Sequence, residues 1–401
     1  MSEEPILQAR DAVEGAGHGP TARSVNVRTK PSSYIPGLDG IRAIAFLTVF
    51  FAHTATAQYG PYVPATLGVT IFFFLSGYLI TTLLRKEFDR TGTISLRDFY
   101  IRRGLRILGP LYIVYACAEL VDRFLFHQHV GTLSGLLSML FYYFNYGYAL
   151  GAYGIALNIY APSGMSVIWS LCIEEHFYLL FPIVFLALSR SRLSRRAQMS
   201  WLIGFCCLEL AWRSFRVLDH FRVIADWNYY ATDARLDSIL WGAVLAMFAN
   251  PILGDRSILP SRRQPLVFGA AVLLLIASLA IPGPLYRDAF RYTVQALLLC
   301  VIFSFIVSRT EHWSVRWLEW PFVRYLGWTS YVLYLCHYLM QHIVGNRLPW
   351  AARMPATFAL SLAFATVMRY AVELPLQNLR KRFRRVPESD PTAADGHGLV
   401  S

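Results

Sequence analysis

Hydrophobic segments long enough to span a membrane recur along the chain, and this pattern limits the possible folds more than any other feature. Eleven such segments are predicted, near residues 40–58, 65–84, 107–126, 131–149, 167–188, 199–217, 231–250, 265–282, 292–309, 322–344 and 354–376. An α-helix needs about 20 predominantly apolar residues to cross a bilayer. Hydrophobic residues make up 55% of the 401 positions, whereas charged residues make up only 15%. The sequence therefore predicts an all-α, polytopic integral membrane protein.

The basic residues predict ten transmembrane crossings rather than eleven. Lys and Arg concentrate on the cytoplasmic side of membrane proteins, and the basic runs fall at 85–106, 190–196, 256–263, 309–324 and 380–385. An even number of crossings must then separate the first two runs, although three hydrophobic segments lie between them. Segment 131–149 is interrupted by glycines and carries Asn145, so we expect it to be re-entrant or to lie along the interface.

The two ends of the chain differ in composition from the hydrophobic region. Residues 1–33 and 386–401 are polar and are predicted to be disordered cytoplasmic tails. They flank a transmembrane domain at 34–385, and no cleavable signal peptide is expected because residues 1–33 lack an apolar core. The net charge of +12 is explained by the cytoplasmic loops, so we predict no nucleic-acid partner.

The cysteines and the clustered histidines do not predict a metal site. All six cysteines lie in apolar segments, where we interpret them as small buried hydrophobic residues: Cys117, Cys172, Cys206, Cys207, Cys300 and Cys336. His127 and His129 share one short turn, but no carboxylate or cysteine accompanies them. We therefore expect neither a disulfide framework nor a bound metal ion.

Arg42 and His53 are ionisable residues within the first hydrophobic segment, where a charge is costly. They are 11 positions apart, so on a helix they project within about 20° of each other and lie ~16 Å apart along the axis. A cation near the inner surface and an imidazole beyond the bilayer centre would suit the two ends of a long anionic ligand. Alternatively, Arg42 extends to the interface and His53 bonds to a neighbouring helix.

Three arginines lie at the cytoplasmic start of the third hydrophobic segment, in RDFYIRRGLRILGP. Either Arg102 or Arg103 shares a helix face with Arg106, and the planar guanidinium suits phosphate oxygens. The alternative is that these residues serve only to orient the helix in the membrane.

A polar stripe runs through the segment at 167–188, where Ser170, Glu174 and Tyr178 are spaced i, i+4, i+8. A carboxyl group at this depth could orient an imidazole or act as a general acid or base. It could equally bond to a neighbouring helix in a structural role. In the following segment, Glu209 and Arg213 are spaced i, i+4, and we predict a local ion pair.

Further polar residues fall near and within the later segments. Arg235 and Asp237 lie at the predicted external start of a helix and point to different faces, so they are expected to meet other helices or a substrate. Tyr334 and His337 lie on one face of an otherwise apolar helix, which makes His337 a second candidate for orienting a catalytic group.

Taken together and in order, these stretches resemble the acyltransferase 3 family of bacterial membrane-bound O-acyltransferases. The matching blocks are LDGIRAIAFLTVFFAH, GVTIFFFLSGYLIT, FYIRRGLR, WSLCIEEHFYLLFP, TDARLDSILWG, SYVLYLCH and VELP, and the resemblance covers about residues 34–385. Gly109 before Pro110, and Cys336 where an aromatic residue is common, depart from the family pattern. The hydrolase-like C-terminal domain of some members is not expected here, so the protein would complete transfer by itself or rely on a separate periplasmic partner.

The resemblance implies about ten transmembrane helices in the bacterial inner membrane, both termini cytoplasmic, and transfer of an acyl group, usually acetyl from acetyl-CoA. The acceptor would be a hydroxyl of a cell-surface glycan, a lipid-linked saccharide or a small-molecule product, and no tightly bound cofactor is expected. The matching positions that would carry function are Arg42, His53, Arg103, Arg106, Glu174, Arg235 and Asp237.

The residues and the resemblance lead to one working hypothesis. Arginines at the cytoplasmic face would hold the CoA phosphates, and the pantetheine arm would extend along the first helix to place the thioester near His53. His53 would then act as general base or carry the acyl group itself, with Glu174 or His337 orienting it. A transporter or flippase, in which buried charges line a substrate path, and a scaffold subunit are the alternatives.

Overall fold

The computed structural model of the protein describes residues 35–54, 65–128, 131–151, 159–218, 224–259, 263–345 and 348–383. Helices are the only regular secondary structure in these ranges, and no strand occurs there. The predicted all-α fold class is therefore confirmed. The two predicted tails, 1–33 and 386–401, lie outside the described residues.

The α-helices in the described ranges are α1 (Leu38–Thr54), α2 (Ala65–Thr91), α3 (Leu96–Leu120), α4 (Leu133–Leu140), α5 (Phe144–Gly151), α6 (Ile168–Arg190), α7 (Arg195–Leu218), α8 (Ile224–Tyr230), α9 (Leu236–Phe248), α10 (Gln264–Ala277), α11 (Arg291–Ser308), α12 (Trp313–Arg316), α13 (Pro321–Val344), α14 (Trp350–Met368) and α15 (Leu374–Lys381). Short 3₁₀ or π-helical turns adjoin them at Val121–Leu125, Met165–Val167, Thr232–Ala234, Pro251–Leu253, Tyr286–Phe290, Trp317–Glu319 and Arg369–Glu373.

Six helical stretches in the described part of the chain are long and apolar enough to cross a membrane. They are Ala65–Thr91, Leu96–Leu125, Met165–Arg190, Leu236–Leu253, Tyr286–Ser308 and Ala351–Arg380. The other four predicted crossings coincide with α1, α7, α10 and α13. Length and composition therefore support a membrane protein, and they identify six of the ten predicted spans.

Segment 131–149 does not form a continuous membrane-spanning helix. It folds into α4 and α5, each eight residues long, and a helix of that length extends only ~12 Å. The two helices meet at a turn in which Tyr142 has φ 57°, a left-handed conformation that interrupts a helix. Neither helix can cross a hydrocarbon core of about 30 Å, in agreement with the prediction that this segment is not a span.

Two glycines bring α2 and α9 into backbone contact. A Cβ on Gly77 would lie 1.9 Å from the carbonyl oxygen of Ile239, and a Cβ on Gly242 would lie 2.0 Å from that of Phe74. Each helix thus needs a glycine where the other passes, as is typical of closely packed membrane helices. Any side chain at either position would force the two backbones apart.

Helix α1 packs against α2 and α13 in the same way. A Cβ on Gly68 of α2 would lie 2.6 Å from the carbonyl oxygen of Ala45, and a Cβ on Gly327 of α13 would lie 1.9 Å from that of Asp39. These contacts fix α1 along its length. They also set the register in which α13 presents its polar residues to His53.

Candidate active site

His53, near the end of α1, is hydrogen-bonded to His337 of α13. The Nδ1 atom of His53 lies 2.9 Å from the Nε2 atom of His337, and the two rings are nearly coplanar, with an interplanar angle of 3°. His337 is fully buried, and its Nδ1 atom lies 2.7 Å from the carbonyl oxygen of Tyr334. The imidazole of His53, the imidazole of His337 and the backbone carbonyl of Tyr334 therefore form one continuous chain of hydrogen bonds.

The direction of these bonds follows from the carbonyl group at one end. A carbonyl oxygen can only accept, so Nδ1 of His337 must carry the proton. In a neutral ring, Nε2 of His337 is then the acceptor, and it receives a hydrogen bond from Nδ1–H of His53. The remaining nitrogen, Nε2 of His53, keeps its lone pair and has no hydrogen bond among the described residues. This tautomer is the one that a general base or a nucleophile requires.

Neighbouring side chains hold the end of α1 in place around His53. The Tyr338 ring lies against the imidazole, with the ring centroids 4.5 Å apart. Gln341, one turn further along α13, donates from Nε2 to the backbone carbonyl of His53 at 2.9 Å. On the other side, the rings of Phe46 and Phe50 pack against His337. The histidine pair is therefore positioned by apolar packing and by a backbone contact.

Ser170 and Tyr334, two residues of the predicted polar stripes, meet each other near this pair. Their hydroxyl oxygens are 2.7 Å apart and link α6 to α13. Because the carbonyl of Tyr334 accepts from His337, this contact supports the histidine pair indirectly. A substrate-binding or supporting role for Ser170 and Tyr334 stays a prediction.

At the opposite end of α1, Arg42 is paired within its own helix. Its Nη1 atom lies 2.9 Å from Asp39 Oδ1, and the other carboxylate oxygen of Asp39 accepts from the indole of Trp328 at 2.8 Å. The spacing along α1 places Arg42 and His53 ~16 Å apart along the axis, as predicted. The charge of Arg42, however, is partly neutralised by Asp39, which lowers its capacity to bind an anion unaided.

The three arginines of α3 have different surroundings. Arg102 forms an ion pair with Glu87 at 3.2 Å and donates to the carbonyl of Phe383 at 2.6 Å, so its guanidinium is already engaged. Arg103 packs over the Tyr178 ring at 4.9 Å. Neither Arg103 nor Arg106 forms an ion pair or hydrogen bond within the described part of the chain.

Arg42, Arg103 and Arg106 lie close enough for their charges to interact, and the carboxylates of Asp39 and Glu174 lie among them; this cluster is called the arginine region. Arg103 and Arg106 are the members of this region with free donors. Guanidinium groups without a protein partner can form paired hydrogen bonds with phosphate oxygens. Of the four predicted anion-binding arginines, these two are therefore the best placed.

Glu174 lies with these arginines and is not bonded to His53. It accepts hydrogen bonds from Ser76 at 3.0 Å and from Tyr178 at 3.1 Å, and its charge acts on Arg103. The role of orienting His53, which the sequence offered to Glu174 or His337, is geometrically available to His337. Ser76 was not predicted as a hydrogen-bond partner of Glu174. It is followed by Gly77, and two small residues side by side in a hydrophobic segment are expected to allow close helix packing.

The predicted ion pair between Glu209 and Arg213 is wrong. Arg213 instead forms a bidentate, fully buried pair with Asp237 of α9, with N–O distances of 2.8 and 2.7 Å. Thr293 also donates to Asp237 at 2.6 Å, and Glu209 accepts from the backbone N–H of Asp237. Asp237 therefore joins α7, α9 and α11, which is one of the two roles that the sequence left open for it.

Arg235 is fully buried and contacts residues from other helices. Its guanidinium lies 3.8 Å from the centroid of the Tyr292 ring, and Nη2 donates to Thr70 Oγ1 at 3.3 Å. The Nε and Nη1 atoms have no hydrogen-bond partner among the described residues. Aromatic faces thus compensate part of the cost of burying this charge.

All six cysteines are free. The described residues contain no group of three or more His, Cys, Asp or Glu side chains that could hold a metal ion.

Comparison with known proteins gives consistent matches over most of the chain. A family model described as an acyltransferase domain matches residues 35–370. A Staphylococcus aureus protein named "Putative O-acetyltransferase" is 29% identical over 368 residues, which is 87% of this chain and 58% of that protein. A Bacillus subtilis protein named "Putative peptidoglycan O-acetyltransferase" is 30% identical over 380 residues, covering 90% of this chain and 58% of the relative.

The peptidoglycan O-acetyltransferase OatA of Listeria monocytogenes is 27% identical over 318 residues, covering 76% of this chain and 49% of the relative. The chain therefore spans only about half to three fifths of the length of these relatives. No solved structure matches the chain.

Proposed function

This chain belongs to the acyltransferase 3 family, and on that premise we propose that it transfers an acetyl group from acetyl-CoA to a hydroxyl of a cell-surface or exported glycan. The observation that carries the proposal is the hydrogen bond between His53 and His337, which leaves Nε2 of His53 with a free lone pair. Two relatives are named as peptidoglycan O-acetyltransferases, which makes peptidoglycan the first acceptor to test.

In the proposed reaction the acceptor hydroxyl gives its proton to Nε2 of His53 while its oxygen attacks the acetyl carbonyl carbon. The C–S bond of the thioester then breaks, an ester forms, and the CoA thiolate takes the proton from the imidazolium. His337 stabilises the imidazolium by accepting from Nδ1–H. In the second route, Nε2 attacks the thioester carbon and the C–S bond breaks, which gives an acetyl-imidazolium and the CoA thiolate. The acceptor oxygen then attacks the acetyl carbon, its proton passes to the thiolate, and the N–C bond breaks to release His53 and the ester. Both routes need the same tautomer of His53.

At the other end of α1, Arg103 and Arg106 would bind the phosphates of acetyl-CoA. Within the described residues their guanidinium groups form no ion pair or hydrogen bond, whereas Arg102 is engaged with Glu87 and Phe383. Arg102 is therefore proposed as a structural residue, and Arg42 as a contributor of charge rather than of direct hydrogen bonds. The pantetheine arm would extend along α1 and bridge the ~16 Å to His53.

The proposed topology has ten crossings, with both termini at the cytoplasmic face of the bacterial inner membrane. The basic runs support it, since each falls on the cytoplasmic side in this arrangement. The topology is tested in a variant without cysteines, into which single cysteines are introduced one at a time. Each single-cysteine variant is then treated in whole cells with a maleimide that cannot cross the membrane. Tyr160→Cys should react from outside, whereas Arg192→Cys should react only after the membrane is opened; the reverse result would refute the topology.

The catalytic proposal is tested with purified protein in nanodiscs supplied with acetyl-CoA and peptidoglycan fragments. Release of the CoA thiol and acetylation of the fragments should both occur with the native protein and be lost in His53→Ala. Replacing the exposed Arg192 by Gln provides the control, because among the described residues Arg192 forms no hydrogen bond or ion pair with a residue of the site. Acetyl transfer that persists in His53→Ala would refute the mechanism, and an absence of thiol release with any acceptor would favour a transporter.

A further inference from the structure

The short segment between α11 and α13 carries an exposed group of aromatic side chains. Trp313, Trp317 and Trp320 follow one another at intervals of about one helical turn, and all three are exposed. Trp313 is 80% exposed, Trp320 is 64% exposed, and the adjoining Phe322 is exposed as well. Large apolar side chains grouped on one surface mark a place where a partner or a membrane binds. We call these four residues, together with the exposed Arg316 beside Trp317, the tryptophan patch.

The helices on either side hold this segment at the depth of the lipid headgroups. It follows closely after Tyr286–Ser308, a stretch long and apolar enough to cross a membrane, and it ends where α13, a proposed crossing, begins. Tryptophan is enriched at this depth because its ring is apolar while its indole N–H can still form a hydrogen bond. In the proposed topology, the segment lies at the cytoplasmic leaflet.

The opposite face of the segment packs against the start of α1. Val315 and Leu318 are buried, and a Cβ on Gly40 of α1 would lie 2.5 Å from that of Leu318. The carboxylate of Glu319 accepts a hydrogen bond from the backbone N–H of Gly37, just before α1. The segment is therefore attached to the protein through this face, and the tryptophans are exposed on the other face in the described part of the chain.

The charges of the segment favour an anionic partner. Its exposed charged side chains are Arg309, Glu311 and Arg316, two cations and one anion. Glu319 lies 4.0 Å from Arg324, which balances its charge. Among the described residues, the guanidinium of Arg316 forms no hydrogen bond or ion pair. A guanidinium suits the oxygens of a phosphate group, and an anionic lipid headgroup presents that phosphate without an opposing ammonium group.

We propose that the tryptophan patch binds an anionic phospholipid of the cytoplasmic leaflet. Arg316 donates to the lipid phosphate, and the rings of Trp313 and Trp320 lie among the glycerol and upper acyl-chain groups. Because the buried face of the segment contacts α1, the bound lipid fixes the start of that helix relative to the membrane surface. The choice of leaflet rests on the proposed topology, whereas the lipid site itself is independent of acetyl transfer.

Fluorescence quenching beside the patch tests this inference on the full chain. A variant without cysteines receives Thr310→Cys, which carries a fluorophore next to the patch. The protein is placed in nanodiscs that contain phosphatidylglycerol and phosphatidylcholine in equal amounts, and bromine atoms, which quench the fluorophore at short range, are carried by one lipid or by the other. We expect phosphatidylglycerol to be favoured about fivefold at this position, the effect of one arginine near an anionic headgroup. The measurement needs no acetyl-CoA, so its outcome is separate from that of the transfer assay.

Matched substitutions show whether the patch is the source of the preference. Arg316→Gln should abolish the preference for phosphatidylglycerol, whereas Arg192→Gln, which removes an exposed arginine between α6 and α7, should retain it. Trp313→Ala combined with Trp320→Ala should weaken quenching by both lipids, whereas Trp201→Ala, which removes an exposed tryptophan of α7, should not.

Three outcomes would overturn the inference. Equal quenching by the two lipids when the patch is intact would exclude selection of an anionic headgroup. A full preference for phosphatidylglycerol in Arg316→Gln would exclude Arg316 as its source. An absence of quenching by either lipid would show that the patch lies outside the membrane and would favour a protein partner instead.

Discussion

Replacing His337 by Leu should lower kcat because His53 would lose the acceptor that fixes its tautomer. In the structure Nε2 of His337 accepts from Nδ1–H of His53, and His337 itself is held by the carbonyl of Tyr334. Leaving a buried donor unsatisfied costs about 1–3 kcal/mol. If that energy favours the other tautomer of His53, the fraction with a free Nε2 lone pair falls by about 5- to 150-fold.

The assay is the initial rate of CoA-thiol release at saturating acetyl-CoA and acceptor. We expect kcat of His337→Leu to fall within that range, while KM for acetyl-CoA stays within about twofold because the arginine region lies at the other end of α1. His337→Gln should recover much of the rate, since the amide oxygen can accept from His53 where Nε2 did.

A neighbouring substitution controls for lost packing in α13. Cys336 is equally buried, and its sulfur lies near backbone carbonyls of Leu333 and Ser361 rather than near His53. Cys336→Ala should therefore keep kcat within about twofold of the native protein. If His337→Leu retains kcat to the same degree as Cys336→Ala, the histidine pair does not set the state of His53 and the reasoning is refuted.

Three further predictions concern other parts of the molecule. Changing Arg103 and Arg106 together to Gln should raise KM for acetyl-CoA about tenfold or more, measured from initial rates, because two charge-assisted contacts to phosphate are lost; an unchanged KM would contradict the proposed donor site. Asp237→Asn should destabilise the protein by about 3–5 kcal/mol, since it leaves a buried guanidinium without its counter-charge; thermal unfolding in detergent measures this, and an unchanged transition would argue against a structural role. Gly242→Ala should sharply reduce the yield of folded protein, whereas Gly269→Ala, where nothing lies within 4 Å of the added Cβ, should not; size-exclusion profiles distinguish the two.

The features that the sequence predicted correctly depend on local spacing. Hydrophobic segments located the helices, and the glycines between 131 and 149 indicated that this segment would not be a continuous span. The placement of Arg42 and His53 at opposite ends of α1 follows from helical periodicity alone. Each of these properties is encoded within about 20 consecutive residues.

Contacts between distant helices could not be predicted in this way. His53 and His337 are 284 positions apart, and no periodicity relates residues on different helices. Spacing favoured Glu209 as the partner of Arg213 because the two residues lie one turn apart, yet Asp237 offered two carboxylate oxygens to the same guanidinium. Within-helix patterns identify which polar residues need partners, and packing decides which partners they find.

The distance in sequence between His53 and His337 also has a consequence for biogenesis. Ribosomes add about 5–20 residues per second, so the 284 positions between the two histidines take about 15–60 s to synthesise. During that interval α1 is already made, but the helix that supplies its acceptor is not. The hydrogen-bonded pair can therefore form only after the chain through α13 has entered the membrane, and a chain terminated before α13 would carry His53 in an unactivated state.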